Sequence, residues 1–308
     1  MAETYNHLHF LVKILQFALQ ILYYICESVY YNIFINRKEK SVSDEIVLVT
    51  GAGHGIGKEL AIQYANLNAT VVCLDVNEKT NENTMHEIKK TVKSPIYAYT
   101  CDVSNRENVF EVAKKIKAEV GDVTILINNA GIMPCHRFLD QTVDQIKRTF
   151  EINIMAHIWM LQAYLPSMIE KNHGHIVALS SIAGLSGVPY IVPYCATKYA
   201  IRGLMEALND ELRLSSDNKS LIKFTTIFPY MVDTGLCKNP KVNVEIPFTS
   251  LASPKRVAAE IIKGQRQDIV EKAIPWYWLS VAEFGRILPV NGLTYLKDFL
   301  NSGLEPDS

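Results

Sequence analysis

Between residues 44 and 275, short apolar runs alternate with longer stretches in which apolar residues recur every three or four positions. The short runs are nearly continuous in Val, Ile and Leu, which is typical of parallel strands covered by helices on both faces. Strands are predicted at 45–50, 69–75, 96–100, 123–128, 175–180, 222–228 and near 269–274. Helices are predicted near 56–67, 80–92, 105–119, 142–171 and 194–214. This alternation indicates an α/β fold with a doubly wound parallel sheet of about seven strands.

The rest of the chain is arranged around this unit. We predict an amino-terminal segment over 1–43, a single α/β domain over 44–275 with no separate substrate domain, and a helical extension over 276–308. Pro166 lies inside the fourth predicted helix. It is expected to kink that helix or to end its first half, because proline lacks the amide hydrogen that a helix needs.

Residues 8–35 are apolar and aromatic, unlike any other part of the chain. Between Lys13 and Glu27 lie thirteen residues without a charge. As a helix they extend only about 20 Å, against the ~30 Å hydrocarbon core of a bilayer. The polar residues share one narrow stripe of that helix: His9, Lys13, Gln16, Gln20 and Glu27. Such a helix can lie in a membrane interface, or span the membrane if Glu27 is neutralised or paired. A core helix packed on the domain is the alternative.

A basic cluster follows the apolar segment and bears on its orientation. Arg37, Lys38 and Lys40 come directly after it, against a single Lys13 toward its other end. The excess of basic residues on the cytosolic side of membrane segments predicts that the α/β domain faces the cytosol. A cleaved signal peptide is disfavoured, since no pattern of small residues typical of a cleavage site follows the apolar run.

Composition narrows the class of protein further. The chain has 308 residues and a formal net charge of −1, so a broad electrostatic attraction to nucleic acid is not expected. Its six cysteines are scattered without a CxxC pair, which favours buried free thiols in a reducing compartment over disulfides. No HExxH pattern occurs, and no metal site is predicted.

A glycine cluster follows the first predicted strand. The strand runs to Thr50 and turns through Gly51, Gly55 and Gly57 into a helix that begins near Ile56. A pyrophosphate needs close backbone donors and the positive end of a helix, and glycines at a strand-to-helix turn provide both. The spacing is GxxxGxG, which departs from GxGxxG. A plain turn is the alternative, but the strand before it and the helix after it favour a dinucleotide site.

Asp75 ends the second predicted strand, eighteen residues after Gly57. A carboxylate at this place can accept hydrogen bonds from both ribose hydroxyls of NAD, whereas it would repel the 2′-phosphate of NADP. No Arg follows it, and the glycine turn carries His54. NAD is therefore favoured over NADP, with helix capping by Asp75 as the alternative.

Tyr194 and Lys198 are four residues apart on a predicted helix, so their side chains lie on one face. A phenol has a reference pKa of about 10, but a neighbouring ammonium group favours the phenolate and makes a usable general base. Lys198 can also hold the nicotinamide ribose. A serine at 180 or 181, after the fifth strand, can bind the substrate oxygen as charge develops there. Alone, a YxxxK pair arises often by chance.

These motifs together resemble the short-chain dehydrogenase/reductases over roughly residues 44–275. The chain is most similar to their membrane-associated branch, which contains the 17β-hydroxysteroid and epidermal retinol dehydrogenases. The resemblance implies hydride transfer between an alcohol or carbonyl and NAD. It also implies a place on the endoplasmic reticulum membrane or a lipid droplet, and it leaves a homodimer open.

The resemblance also implies roles for single residues. Ser181, thirteen residues before Tyr194, is the substrate-binding serine, and Asn153 kinks its helix and binds a water in a proton relay. The cofactor-binding residues implied by it, together with those read from the motifs, are Gly51, Gly55, Ile56, Gly57, Asp75, Asp102, Val103, Asn128, Tyr194, Lys198, Val232 and Thr234. Tyr230 stands where the family usually has glycine.

The substrate end is less well defined. Residues 235–252 lack a clear period and fit a mobile lid. The aromatic stretch after Pro275 supplies apolar surface, with ordinary core as the alternative. Together with a membrane anchor this predicts a lipophilic alcohol: a retinoid, a sterol or a long-chain alcohol. Two other hypotheses remain open. One is an NAD-binding protein of the lipid surface with little catalysis, and the other is a sugar-nucleotide epimerase of the same fold.

Overall fold

The computed structural model describes residues 2–34, 37–236, 240–241, 251–300 and 303–306. The chain forms two compact units, Met1–Lys40 and Ser41–Ser308.

The first unit is a single helix, α1 (Ala2–Phe34). Its stretch His9–Glu27 is long and apolar enough to cross a membrane, by length and composition only. The hydroxyl of Tyr23 donates a hydrogen bond to Glu27 Oε1 over 3.1 Å. Glu27 was the residue that made a spanning helix costly, and this hydrogen bond gives its carboxylate a partner one turn away.

The second unit contains a seven-stranded sheet in which every neighbouring pair is parallel. Its strands are β1 (Ile46–Thr50), β2 (Thr70–Asp75), β3 (Ile96–Thr100), β4 (Ile125–Asn128), β5 (His175–Leu179), β6 (Lys223–Pro229) and β8 (Glu271–Ile274). Across the sheet they are ordered β3-β2-β1-β4-β5-β6-β8. All seven predicted strands are confirmed to within about two residues at each end. A second, antiparallel pair joins β7 (Pro240–Lys241) to β9 (Gly303–Leu304).

Helices connect the strands. They are α2 (Gly55–Asn66), α3 (Glu78–Lys89), α4 (Arg106–Glu119), α5 (Val143–Phe150), α6 (Ala156–Lys171), α7 (Val192–Ser215), α8 (Pro254–Arg266), α9 (Tyr277–Ile287) and α10 (Val290–Leu300). Residues Glu151–Met155 form a π-helical turn between α5 and α6. Short 3₁₀ turns lie at Phe138–Asp140 and Ile182–Gly184.

The sheet is buried between two helical layers, which explains why its strands are apolar throughout. Leu48 in β1 packs in a cluster with buried side chains of α4, α6 and α7. Its neighbours Val47 and Val49 point to the opposite face and pack with α2, α3 and α8. Successive residues of a strand face opposite sides, so apolar side chains are needed at every position.

Two expectations need correction or limits, and one helix was not predicted. α6 continues through Pro166 to Lys171, so this proline does not end the helix, and the kink, which was the other expected outcome, stays a prediction. The change in helix type lies at Glu151–Met155. α8 was not predicted, although its Ser253 side chain caps the helix by accepting from the Arg256 amide. Most of the predicted lid over 235–252 lies outside the described residues.

Candidate active site

A cleft of about 560 Å³ opens at the carboxyl ends of the strands. It lies where the strand order reverses, between β1 and β4, which is where ligands bind in open α/β sheets. Each of five strands contributes a lining residue at or just after its end: Gly51, Asp75, Asn129, Ser181 and Tyr230. The sheet therefore gathers residues that are far apart in sequence around a single cleft.

The glycine turn forms one wall of this cleft. Gly51 and Gly55 have φ angles of +67° and +55°, in the left-handed region that favours glycine. A Cβ on Gly57 would overlap the Gly51 carbonyl oxygen, so this glycine permits close packing of α2 on the turn. Gly51, Gly55 and Ile56 line the cleft, whereas Gly57 packs behind it. The amino-terminal end of α2, with its free amides, thus faces the opening.

Asn129 holds the turn to the neighbouring strand. Its Nδ2 donates to the Thr50 carbonyl oxygen over 2.8 Å, and its backbone amide donates to Thr50 Oγ1 over 2.9 Å. Sequence reasoning selected Asn128 from this run, but Asn128 is 2% exposed within β4 and does not line the cleft. The lining residues of the run are Asn129, Ala130 and Gly131. The alternation of strand faces, applied to 125–128, was the signal that could have separated them.

Asp75 lies at the end of β2 and lines the cleft. Its Oδ2 accepts from the Gly53 amide and its Oδ1 from the Asn77 amide, each over 2.9 Å. A carboxylate oxygen accepts more than one hydrogen bond, so both oxygens retain capacity for a ligand hydroxyl. The two amide bonds fix the carboxylate beside the glycine turn. Asn77, not Asp75, caps α3, by accepting from the Thr80 amide.

Asp102 and Val103 follow β3 and line the same side. Burial acts to raise the pKa of the Asp102 carboxyl, but hydrogen bonds from Ser104 and the charge of Arg148 outweigh burial and hold that pKa below its usual range. Ser104 Oγ donates to Asp102 Oδ1 over 2.6 Å, and Arg148 Nη2 lies 3.4 Å from Oδ2. Arg148 lines the cleft as well and was not singled out from the sequence. It lies on a helix, 46 residues from its partner.

Tyr194 and Lys198 lie one turn apart on α7, and both line the cleft. The Lys198 Nζ is 5.4 Å from the centre of the Tyr194 ring. It donates to the Leu179 carbonyl oxygen over 2.8 Å and is 3% exposed. Burial lowers the pKa of Lys198 to about 7. In its protonated form this lysine exerts a strong field on its neighbours, because little water screens it.

The two serines after β5 have different partners. Ser180 Oγ donates to the Lys198 carbonyl oxygen over 2.8 Å and is buried, so its hydroxyl ties β5 to α7. Ser181 is half-buried; its Oγ makes a long 3.5 Å contact with the Pro229 carbonyl oxygen and accepts from the Ala183 amide over 3.2 Å. This division favours Ser181 as the hydroxyl that meets a ligand.

Asn153 lies in the π-helical turn and is fully buried. Its side chain accepts from the Ile132 amide and donates to the Ile132 carbonyl oxygen, each over 2.9 Å. Nδ2 also reaches Thr197 Oγ1 over 3.3 Å. A Cβ on Gly131 would lie 3.3 Å from Asn153 Oδ1 and 3.6 Å from Lys198 Nζ, so both side chains face this glycine. Asn153 thus joins the loop after β4 to α7, beneath the cleft lining.

The loop after β6 completes the site. Val232 and Thr234 line the cleft, and Val232 pairs with Ala252 in an isolated bridge. Thr234 packs on the glycine turn, since a Cβ on Gly55 would lie 3.0 Å from its methyl group. Tyr230 also lines the cleft. Of the candidate residues, all line the cleft except Gly57, Asn128 and Asn153, which pack around it.

Comparison with known proteins is consistent with this geometry. A family model described as short chain dehydrogenase matches residues 45–243. Short-chain dehydrogenase/reductase family 16C member 6 of Bos taurus is 46% identical over 217 residues, 70% of this chain and 68% of the relative. Estradiol 17-beta-dehydrogenase 11 of Macaca fascicularis is 37% identical over 92% of each chain. Epidermal retinol dehydrogenase 2 of Mus musculus is 37% identical over 94% of this chain and 92% of its own.

Among solved structures, a short chain dehydrogenase/reductase from Burkholderia phymatum in complex with NAD superposes with a TM-score of 0.72. It is 21% identical and covers 87% of this chain and 99% of its own, which shows a shared fold. The predicted fold class is confirmed, and so is the resemblance to the branch that contains the 17β-hydroxysteroid and epidermal retinol dehydrogenases. Matched over well more than half of its length, the chain belongs to the short-chain dehydrogenase family.

Proposed function

We propose that this protein is an NAD-dependent oxidoreductase that interconverts a lipophilic alcohol and its carbonyl. The observation that carries the proposal is a single cleft with Asp75 on one side and Tyr194, Lys198 and Ser181 on the other. The first is suited to an adenosine ribose and the other three to a reacting hydroxyl. The names of its relatives point to estradiol and retinol as substrates of those proteins.

The residues present fit a dinucleotide. Gly51 and Gly55 line the cleft at the amino-terminal end of α2, where backbone donors without side chains in the way suit a pyrophosphate. Gly131 also lines the cleft, and a Cβ on it would lie 3.6 Å from Lys198 Nζ, so a nicotinamide ribose bound beside this glycine would be within reach of the ammonium group. Asp102 and Val103 border the adenine end. When bound, NAD would accept a hydride from the carbon that carries the alcohol.

Side chains of the protein transfer the proton of the substrate hydroxyl. Tyr194 takes the proton of the alcohol on its phenolate oxygen during oxidation and returns it during reduction. Lys198 stabilises the phenolate by its charge. Ser181 donates to the substrate oxygen and so fixes its position and stabilises the charge that develops there. Asn153 bonds to the loop at Ile132 and to Thr197 of α7, and so it fixes this loop beside the helix that carries Lys198.

The preference for NAD follows from Asp75. Backbone amides hold its two oxygens at the cleft lining, where they could accept from the 2′ and 3′ hydroxyls of a ribose. A 2′-phosphate would meet this carboxylate at close range, and charges of the same sign repel strongly in a partly dehydrated cleft. The glycine turn carries His54, which also lines the cleft, at the place where a Lys or Arg would favour NADP.

A membrane or lipid-droplet surface is the proposed location, with the catalytic unit in the cytosol. α1 supplies an apolar helix, and Arg37, Lys38 and Lys40 follow it as an exposed basic cluster. Independently, α9 and α10 of the second unit expose large apolar side chains. They are Phe284, Ile287, Val290, Tyr295 and Phe299, each at least 60% exposed. Exposed apolar surface of this kind is typical of a site that contacts a membrane or another protein, and beside the apolar α1 it supports the membrane.

The test is a turnover screen. Purified full-length protein in detergent would be offered retinol, estradiol and 1-dodecanol with NAD or NADP, and formation of the reduced cofactor would be followed by absorbance. Tyr194→Phe should lower kcat at least ~10²-fold, the usual weight of general acid–base catalysis. Tyr199→Phe is the matched control, because it makes the same change on the same helix at a residue that does not line the cleft.

The outcomes separate the hypotheses. Turnover that requires Tyr194 and prefers NAD supports the proposal. Binding of NAD without turnover of any alcohol would favour a non-catalytic NAD-binding protein. Activity that survives in Tyr194→Phe at more than a third of the wild-type rate would contradict the assigned chemistry.

A further inference from the structure

The last described residues of the chain return to the active site. β9 (Gly303–Leu304) pairs with β7, which places Leu304 opposite Pro240 and Gly303 opposite Lys241. A second contact fixes the same segment: Cys135 Sγ donates to the Glu305 carbonyl oxygen over 3.3 Å. This tail, residues 303–306, is therefore held from two sides by parts of the chain that precede it by more than sixty residues.

Leu304 lines the cleft. It packs against a small apolar cluster formed by Cys135, Ala183, Ile191, Tyr194 and Cys195. Because Tyr194 belongs to this cluster, Leu304 lies on the side of the cleft where the alcohol must react. The glycine turn and Asp75, which suit the cofactor, belong to another group of lining residues. Leu304 is only half-buried, so part of its side chain remains open to a ligand.

The rest of that side of the cleft is apolar as well. Met133, Val188 and Tyr190 pack on the same cluster, and Met133 and Val188 line the cleft. A substrate that places its hydroxyl at Tyr194 would direct its hydrocarbon part along these side chains. The free energy of apolar burial is roughly proportional to the area removed from water. The side chain at 304 therefore determines both the room for a hydrocarbon body and the apolar area that this body can bury.

We propose that Leu304 is a wall of the alcohol pocket and a specificity-determining residue, which selects alcohols with a bulky hydrocarbon body over short ones. The inference rests on the proposed oxidoreductase function and names a residue for its substrate side. The carboxyl-terminal tail is accordingly part of the active site. Because Leu304 lies 110 residues after Tyr194 in the sequence, no local motif indicates that it belongs to the site.

The experiment compares Leu304→Ala, Leu304→Met and wild type on two probe alcohols, retinol and 2-butanol, with saturating NAD. Loss of apolar wall contact should raise KM for retinol about tenfold in Leu304→Ala, within the range measured for hydrophobic pockets. KM for 2-butanol, which is too short to reach the wall, should change less than about twofold. In Leu304→Met, whose side chain is similar in volume to leucine, KM for retinol should stay near the wild-type value.

Glu305→Ala is the matched control. Glu305 contacts Cys135 through its backbone carbonyl and its side chain is exposed, so its truncation leaves the tail held in place. The dissociation constant for NAD, measured by fluorescence quenching, should be equal in all four proteins and shows that the fold and the cofactor side are intact.

The outcomes distinguish a failure of the inference on Leu304 from a failure of the proposed function. If wild type oxidises retinol but Leu304→Ala has the same KM, the inference on Leu304 is overturned and the proposed function stands. If Leu304→Ala loses both probes equally, or Leu304→Met does not keep KM for retinol near the wild-type value, the tail acts on folding and the inference is overturned as well. If wild type oxidises neither probe nor any alcohol of the screen, the proposed function fails and this inference with it.

Discussion

The ring of Tyr230 stacks on the indole of Trp278, with 4.7 Å between ring centroids and 17° between ring planes. Tyr230 lines the cleft, on the loop that follows β6, and Trp278 lies at the start of α9. The stack therefore connects the lining of the cleft to the carboxyl-terminal helices. A tyrosine in place of the usual glycine thus has a structural partner in this chain, and the aromatic stretch after Pro275 is partly core.

Trp278→Ala is expected to destabilise the fold and loosen the cleft. Trp278 is 6% exposed and packs with Ile182, Leu185 and Phe228, and truncation of a buried large aromatic residue typically costs ~3–5 kcal/mol. Urea unfolding would measure the loss, and NAD titration would measure the weaker affinity that follows from a displaced Tyr230.

Trp276→Ala provides the control, because Trp276 is 75% exposed and such surface changes stay within about 0.5 kcal/mol. Equal effects of the two substitutions would show that the stack contributes nothing specific.

Lys198 should make stability depend on pH. Burial holds its pKa at about 7, against about 10.4 in an unfolded chain. Between these two values the unfolded state binds more protons at this residue than the folded state, so the free energy of unfolding rises with pH across the window. Below pH 7 both states are protonated and the contribution is at its minimum.

The measurement is the difference in unfolding free energy between wild type and Lys198→Met, taken at pH 7 and pH 9.5. This difference should shift in favour of wild type by at least ~1 kcal/mol at the higher pH, since one pKa unit corresponds to about 1.4 kcal/mol. Lys223→Met, at an exposed lysine of β6, should show no such shift. A flat difference for Lys198→Met would mean that the pKa of the lysine is not lowered in the folded protein.

Asp75→Ala should weaken NAD binding and relax the rejection of NADP, because the ribose acceptor and the repelling charge are removed together. Loss of a charged hydrogen bond costs about 1.5–3 kcal/mol, or roughly ten- to a hundredfold in affinity. Titration of both cofactors against wild type and variant measures this directly. Glu78→Ala, which removes an exposed carboxylate at the start of α3, serves as control. A wild type that already prefers NADP would refute the assignment of Asp75.

Deleting residues 1–36 should release the protein from membranes and preserve activity on a short soluble alcohol. The unit Ser41–Ser308 has its own core on both faces of the sheet, so it is expected to fold without α1. Activity on retinol dissolved in vesicles should fall more than activity on 2-butanol, because the anchor provides access and takes no part in the chemistry.

Fractionation of cells expressing the truncated protein makes the test. A full-length variant with Arg37, Lys38 and Lys40 changed to Gln is the control; it should remain membrane-bound, since these residues bear on orientation and α1 supplies the apolar contact. If the truncated protein stays in the pellet, folded and active, the main membrane contact lies in the second unit, at the exposed side chains of α9 and α10.

Much of the fold could be predicted from the sequence because the features that determine it are local. A strand buried on both faces needs an unbroken apolar run, a turn that approaches a phosphate needs glycine, and Tyr194 must lie four residues from Lys198 to share a helix face. These requirements leave the same residue types at the same spacing wherever the fold occurs. The seven strands and the carboxyl-end position of Asp75 followed from them.

The tertiary structure decided what depends on contacts between distant segments. Ser180 bonds to the carbonyl of Lys198 and Ser181 does not, a difference that two adjacent serines do not reveal by themselves. Asn153 lies in a π-helical turn bonded to Ile132 rather than in a regular helix. Leu304 reaches the cluster around Tyr194 through a strand pairing with Pro240. Sequence periodicity indicates which face of a helix or strand is buried. Which residues of distant segments contact each other depends on packing and hydrogen bonding in the folded chain.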